Sequence, residues 1–340
     1  ESEQKAHVHC VVIGFSSKQA ATTPKRIFIN ETESVEAKNI CPYLIDSENV
    51  WIENQSKPIC DVPRMTTGNR PADGGHLIIE ADEYEEFVRK EPKATKYIKK
   101  LVGSEEFINN LKRWCLWLVG ASPAEMRNMP EVNKRVQMCR QDRLNGASDR
   151  QKLADTPHLF REIRNPEKYV IIPATSSINR AYVPIGFLGY DTIPTNSVLI
   201  LPEAGLYEFG VLVSRVHMAW LRIVGGRMKS DYRYSKDIVY NNFPWPLKAA
   251  KIVSSQNKGE VGNFTSLIES TAQAILDTRA KYPDCTLADL YDETFMPADL
   301  RRAHQANDRA VMQAYGFDPK MSESEIVAEL FGMYKELITK

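Results

Sequence analysis

The densest group of side chains able to do chemistry lies between residues 209 and 236. Arg215, Arg222, Arg227, Lys229, Arg233 and Lys236 stand there against a single acid, Asp231, with Ser230, Tyr232, Tyr234 and Ser235 interleaved. Such a run suits the binding of anions and base edges. A guanidinium forks onto two acceptors at once, as guanine O6 and N7 offer, whereas ammonium and hydroxyl groups suit phosphate oxygens. A solvated basic turn after a buried helix has the same composition, and composition alone leaves both readings open. A second group, TSSINRAYVP, sets Asn179 and Arg180 in a polar loop between two strand candidates. That arrangement can present base-reading side chains, and it is equally an ordinary hairpin turn. A third, PRMTTGNRP, carries Arg64 and Arg70.

Catalytic patterns fare worse. YNNFPWP, residues 240 to 246, resembles at first sight the Asn/Asp-Pro-Pro-aromatic loop with which amino-methylating DNA methyltransferases hold a flipped base. The order is wrong, because Asn242 is followed by Phe243 and not by proline. Ser214 and His217 lie three apart, a spacing that on an amphipathic helix means packing and capping contacts, and no oxyanion loop accompanies them. In VGGRMKS the glycines and Lys229 miss the phosphate-loop spacing. The tripeptides EAK (36–38), EPK (91–93) and DPK (318–320) could be forced into a nuclease pattern, but short Lys/Glu tripeptides arise by chance. His7 and His9 form an H-x-H without further ligands beside it, and the six cysteines contain no C-x-x-C pair. Reduced, buried thiols in a cytoplasmic protein are expected.

The elements that must position these residues come next. At 340 residues the chain can hold two or three domains, and its apolar and charged fractions are those of a globular protein. Its net charge of zero argues against a polybasic partner and conceals an asymmetry, since residues 1–248 hold 34 Lys/Arg against 30 Asp/Glu and 249–340 hold 10 against 14. HVHCVVIGF reads as a buried strand. It follows only six residues, too few to flank it, so a piece of a longer protein is expected. No apolar run reaches the roughly 18 residues of a membrane span, and no signal peptide precedes that strand. RIFIN, HLII, YVIIPAT, AYVPIGFL and NSVLIL are strand candidates, EADEYEEFVRK is helical, and a cation-rich helical stretch opens at Ser122-Pro123 with Arg127, Lys134, Arg135, Arg140 and Arg143. AGLYEFGVLVSRVHMAWLRIV, 204–224, reads as one long helix. Beyond 248 the pattern is helical throughout: Phe264, Ile268, Ala272 and Ile275 share a face, and Ser322 and Glu325 form a capping box. KAAKIVSSQNKGE is its linker.

GGRMKSDYRYSKDIVYNNFPWP with VLVSRVHMAWLR upstream resembles the C-terminal part of the MmeI-like, type IIL restriction-modification enzymes. The likeness extends through HVHCVVIGF, NICPYLIDS, KPICDVPRMTTGNRPADGGHLII, EFINNLKRWCLWL, YVIIPATSSINRAYVPIGFL and NDRAVMQAYGF, nearly the whole chain. In that family one polypeptide carries an endonuclease, an S-adenosylmethionine-dependent adenine-N6 methyltransferase, a target recognition domain and a helical C-terminal segment. The resemblance therefore implies a fold of class α+β: the final strand of a methyltransferase domain at 1–17, a mixed sheet-and-helix target recognition domain at 18–248, and a small all-helical domain at 249–340. It implies double-stranded DNA and the upstream catalytic domains as partners. S-adenosylmethionine and magnesium would serve the parent enzyme and no cofactor this chain, which should be inactive alone. YNNFPWP becomes the junction between the two domains. The expected DNA contacts are Arg180, Arg215, Arg227, Lys229, Tyr232, Arg233, Ser235 and Lys236, with Arg64 and Arg70. A protein-interaction scaffold and an independent nuclease are the alternatives.

Overall fold

In the computed structural model the described residues are 11–15, 17, 24–246 and 258–339. A hairpin, Lys25–Phe28 with Ser34–Ala37, precedes two four-stranded sheets. One runs in the order Thr192–Pro194, Ile98–Val102, Trp114–Leu116, Ile78–Ile79, and its buried face packs Leu77, Ile79, Leu101 and Leu116 against Phe87, Val132, Val136 and Cys139 of the helices Tyr84–Lys90 and Pro130–Leu144. The other runs in the order Thr66–Thr67, Val198–Pro202, Lys168–Pro173, Gly186–Gly189. Its two central strands are buried on both faces, and successive side chains divide as a period of two requires. Tyr169, Ile171, Val198 and Ile200 pack with Val102, Phe107 and Leu188, whereas Val170, Ile172, Leu199 and Leu201 enter the main core.

The run expected as one helix over 204–224 is two, Leu206–Leu212 and Arg215–Val224. Ser214 makes the break. Its backbone is extended, and its hydroxyl accepts from His217 N at 3.3 Å and donates to Val211 O at 2.7 Å, so it caps the second helix and closes the first. Onto this pair pack Lys258–Arg279, Ala298–Tyr315 and Glu323–Ile338. Gly210 permits the closest approach, since a Cβ there would stand 2.7 Å from Ile268 Cγ2. Trp220 meets the rings of Phe331 and Tyr334 at 5.7 and 6.5 Å. One hydrophobic core thus runs from Val170 and Leu201 through Phe209 and Trp220 to Ile268, Val311 and Leu330. The boundary expected at 248 falls among residues outside the described set, and the two parts on either side of it share that core.

YNNFPWP lies inside this core. Phe243 and Trp245 are fully buried, and Asn242 Nδ2 donates to Glu53 O, Asp237 O and Ile238 O at 2.9 to 3.0 Å. Asn241 Nδ2 donates to Gln55 O at 2.6 Å, and Pro244 O accepts from Tyr315 Oη at 2.7 Å. The two amides therefore close the open carbonyls of the 53–55 loop, and the stretch is a seam with no ring exposed for a base. Four of the described cysteines, Cys41, Cys60, Cys115 and Cys139, are buried and Cys285 is exposed.

The buried strand expected over HVHCVVIGF is not observed. His7 to Cys10 lie outside the described residues, and Val11–Phe15 pair with no strand, Val12 and Phe15 being 95% and 96% exposed. A β strand is defined by a paired neighbour, and Val11–Phe15 has none among the described residues. AYVPIGFL likewise forms a strand only over Gly186–Gly189, its first half being a loop.

Candidate nucleic-acid interface

The basic segment folds as a hairpin. Gly226–Met228 pairs antiparallel with Asp231–Arg233, and Lys229-Ser230 closes it as a two-residue loop. Lys229 sits at φ +56°, the left-handed conformation that tight hairpin loops impose. Alternation then sorts the side chains. Tyr232 turns inward and is buried, whereas Arg233 is exposed. Arg227 stands opposite Tyr232 in register and lays its guanidinium over that ring, 4.0 Å from the centroid. Its contacts to Ser230 O and Arg222 O are both long, at 3.4 Å, which leaves the outer edge of the fork available. Lys229 and Arg233 are exposed and have no polar side-chain partner among the described residues.

The hairpin is also the site of convergence with the Arg180 turn. Tyr232 and Arg233 pair with Ser176 and Thr175, which continue the sheet strand Lys168–Pro173 after a bend at Ala174. Arg180 N donates to Ser177 O at 3.2 Å to close the turn, and Asp231 Oδ1 accepts from Ile178 N at 3.2 Å to tie it to the hairpin. The one acid of the basic run is thus the fastener between two candidate groups that lie fifty residues apart in sequence. Asn179 is exposed and Arg180 half-buried. Partial burial draws the Arg180 guanidinium below its usual range, and Asp231 and Asp292 oppose that shift.

Arg64 and Arg70 flank the edge strand Thr66–Thr67, which runs parallel to Lys168–Pro173 across Val198–Pro202. Arg70 therefore leaves the sheet at the end where Thr175 and Ser176 begin, and Arg64 at the opposite end. The backbone of Arg70 is fixed on both sides, its N–H donating to Glu162 Oε2 at 2.8 Å and its carbonyl accepting from Arg161 N at 3.0 Å, while its side chain is exposed.

Other candidates are occupied within the fold. Arg215 opens its helix with its N–H on Asp308 Oδ1 at 2.7 Å and its Nη2 on Met321 O at 2.7 Å. Ser235 Oγ caps the turn Lys236–Tyr240, and Lys236 Nζ is ion-paired with Asp237. Tyr234 is buried with its hydroxyl 2.7 Å from His217 Nε2, and burial pushes the imidazole down to about 3, so it stays neutral. Arg143, read in sequence only as one cation of a helical stretch, belongs to the interior. It is fully buried and donates to Ala72 O, Pro71 O, Leu153 O, Thr156 O and Leu159 O at 2.7 to 3.1 Å. It welds the segment just after Arg70 to the segment just before Arg161. Only its place on the buried side of the helix Pro130–Leu144, in step with Val132, Val136 and Cys139, distinguishes it in sequence from its exposed neighbours. Among the described residues no group of three or more His, Cys, Asp or Glu could hold a metal ion.

The described residues thus form an α+β unit backed by helices, with several cationic side chains gathered in and beside one small sheet. The family model of the MmeI target recognition domain matches residues 46–247, and that of the MmeI C-terminal domain matches 264–340. The chain belongs to the MmeI family. It is 37% identical over 339 residues to DNA methyltransferase A of Bacillus subtilis, covering 99% of this chain and 37% of that protein. The solved structure of the type IIL restriction-modification enzyme MmeI in complex with DNA superimposes with a TM-score of 0.82 at 40% identity, over 91% of this chain and 40% of that one. The chain thus spans about two fifths of the length of the relatives it matches.

Proposed function

We propose that this chain recognises a specific sequence in double-stranded DNA, and that the hairpin 226–233, with the strand 175–176 and the turn after it, is its reading element. The observation that carries the reading is the gathering of Arg227, Lys229 and Arg233 in one hairpin, with Arg180 in the turn fastened to it, in a chain with zero net charge. Kinship with an enzyme solved in complex with DNA supports it. Arg227 and Arg233 are assigned to base edges, because a planar fork suits paired acceptors better than an ammonium does. Arg180 joins them from the adjoining turn. Lys229 and Arg70 are assigned to phosphates, which fix register without carrying sequence. Tyr232 supports Arg227 from beneath, and Arg215 and Ser235 hold the scaffold.

In this reading the chain directs methyl transfer to adenine N6 and DNA cleavage. Both reactions, with S-adenosylmethionine and magnesium, belong to segments outside these 340 residues. The chain alone is then a binder without activity.

Titrating the full chain into labelled mixed-sequence duplex at rising salt tests the electrostatic part. Affinity should fall steeply as counterions are released, and Lys229→Ala should weaken all duplexes about equally while lowering the log–log salt slope by roughly one. Failure to bind duplex at low salt contradicts the reading.

A further inference from the structure

Arg180 stands between two clamps. On its N-terminal side, Ser177 O and Asp231 hold the turn to the hairpin. On its C-terminal side, the three residues that next make polar contacts are all held by the helices. Arg222, itself ion-paired with Glu323 of the last helix, donates from Nη2 to Ala181 O at 2.9 Å. Tyr182 Oη donates to Asp308 Oδ2 at 2.6 Å, with its ring stacked 4.2 Å from His304. Arg279 Nη1 donates to Ile185 O at 2.6 Å and its Nε to Tyr291 Oη at 2.7 Å.

Adhesion between the helices and the sheet layer needs none of these groups, because the shared apolar core already supplies it. Burying Asp308, 7% exposed, is costly without partners, and both its oxygens have one. Such contacts add direction. They fix where the 181–185 loop sits to within hydrogen-bond tolerance, and a base-reading guanidinium requires placement within about half an ångström.

We propose that Tyr182 and Asp308 are positioning residues for base readout by Arg180, so that the C-terminal helices set part of the sequence specificity without touching DNA. The inference rests on the DNA reading above and extends it from the sheet to the helices behind it.

The test is enrichment of a randomised duplex pool on the full 340-residue chain and on Arg180→Ala, Tyr182→Phe and Asp308→Asn variants. Each of the last two keeps its side chain's size, so at least one should fold, as thermal melting would show. The wild type should enrich one sequence. Arg180→Ala should flatten the preference at one or two adjacent base pairs by roughly tenfold. Tyr182→Phe and Asp308→Asn should flatten the same positions several-fold and leave the rest of the sequence and the salt slope unchanged, and either change added to Arg180→Ala should have no further effect. Equal weakening on every duplex with an unchanged enriched sequence would make Tyr182 and Asp308 structural residues only and overturn the proposal. An unchanged profile for Arg180→Ala would overturn it while leaving the sheet as the DNA face. Enrichment of no sequence by the wild type would remove the DNA reading itself.

Discussion

Arg143 and Arg227 carry the same guanidinium in opposite circumstances: one is saturated by five carbonyls in the interior, the other stacks on a tyrosine with its outer edge open. Residue type alone reads both as cations available to DNA. Burial separates them, and burial is set by partners distant in sequence. Titration behaviour follows the same logic. His217 and His304 are fully buried and desolvation holds both neutral, well below the ordinary value of 6.5, whereas unfolded histidine takes up a proton near that pH. Below pH 6.5 the unfolded chain binds more protons, so stability falls on acidification, for His217 through the window from 6.5 towards 3 by about 1.4 kcal/mol per pH unit, and for His304 in the same direction. Asp308 acts in the reverse sense. Burial raises it from 3.8 to about 6, so between those values the native state holds the extra proton and stability falls as pH rises. Asp308→Asn removes that compensation, and urea unfolding at pH 6 and pH 4.5 should show a steeper acid loss in the variant than in the wild type. An equal slope in the two proteins would contradict the assignment.

At the scale of elements, the helix Pro130–Leu144 acts through one side chain on two loops at once. Arg143→Met would take the guanidinium donor from five interior carbonyls, of which only Leu153 O and Thr156 O keep a backbone donor, and a loss on the order of 3 kcal/mol in urea unfolding is expected. A shift below about 0.5 kcal/mol would mean that the loops hold themselves. The elements themselves were largely readable from sequence. The two central strands around Ile171 and Ile200 announced themselves as apolar runs, the helical stretch opens at Ser122-Pro123 and the capping box forms at Ser322, as the residues predicted. Two features were hidden. The break at Ser214 lies inside an unbroken apolar periodicity, and what favours it is a distant carboxylate, Asp308, which accepts the freed Arg215 N–H. The hairpin 226–233 has no Asn-Gly or Gly-Gly loop, only Lys229 held at positive φ, so its turn could not be foreseen. The candidate cations were therefore legible as residue types, and their convergence with Arg180 was not, because it depends on the pairing of Tyr232 with Ser176.

For the molecule as a whole, the sheet layer and the C-terminal helices divide in sequence but not in packing. KAAKIVSSQNKGE is rich in Lys, Ser, Gln and Asn, so limited proteolysis should cut near it. Because Gly210, Ile268 and Asn307 interlock across the two parts, the fragments should remain together on size-exclusion chromatography at neutral pH. Separation on cutting would contradict the shared core. The central claim is that the small sheet reads bases, and the most direct measurement is the ratio of affinities for the enriched duplex and a scrambled one of equal length, taken for the wild type, Arg227→Ala and Arg233→Ala. Each substitution should cost roughly 1 to 3 kcal/mol on the enriched site and little on the scrambled one, collapsing the ratio at low and high salt alike. Should both variants keep the wild-type ratio at every salt concentration, the sheet is a solvated basic surface and the sequence is read elsewhere.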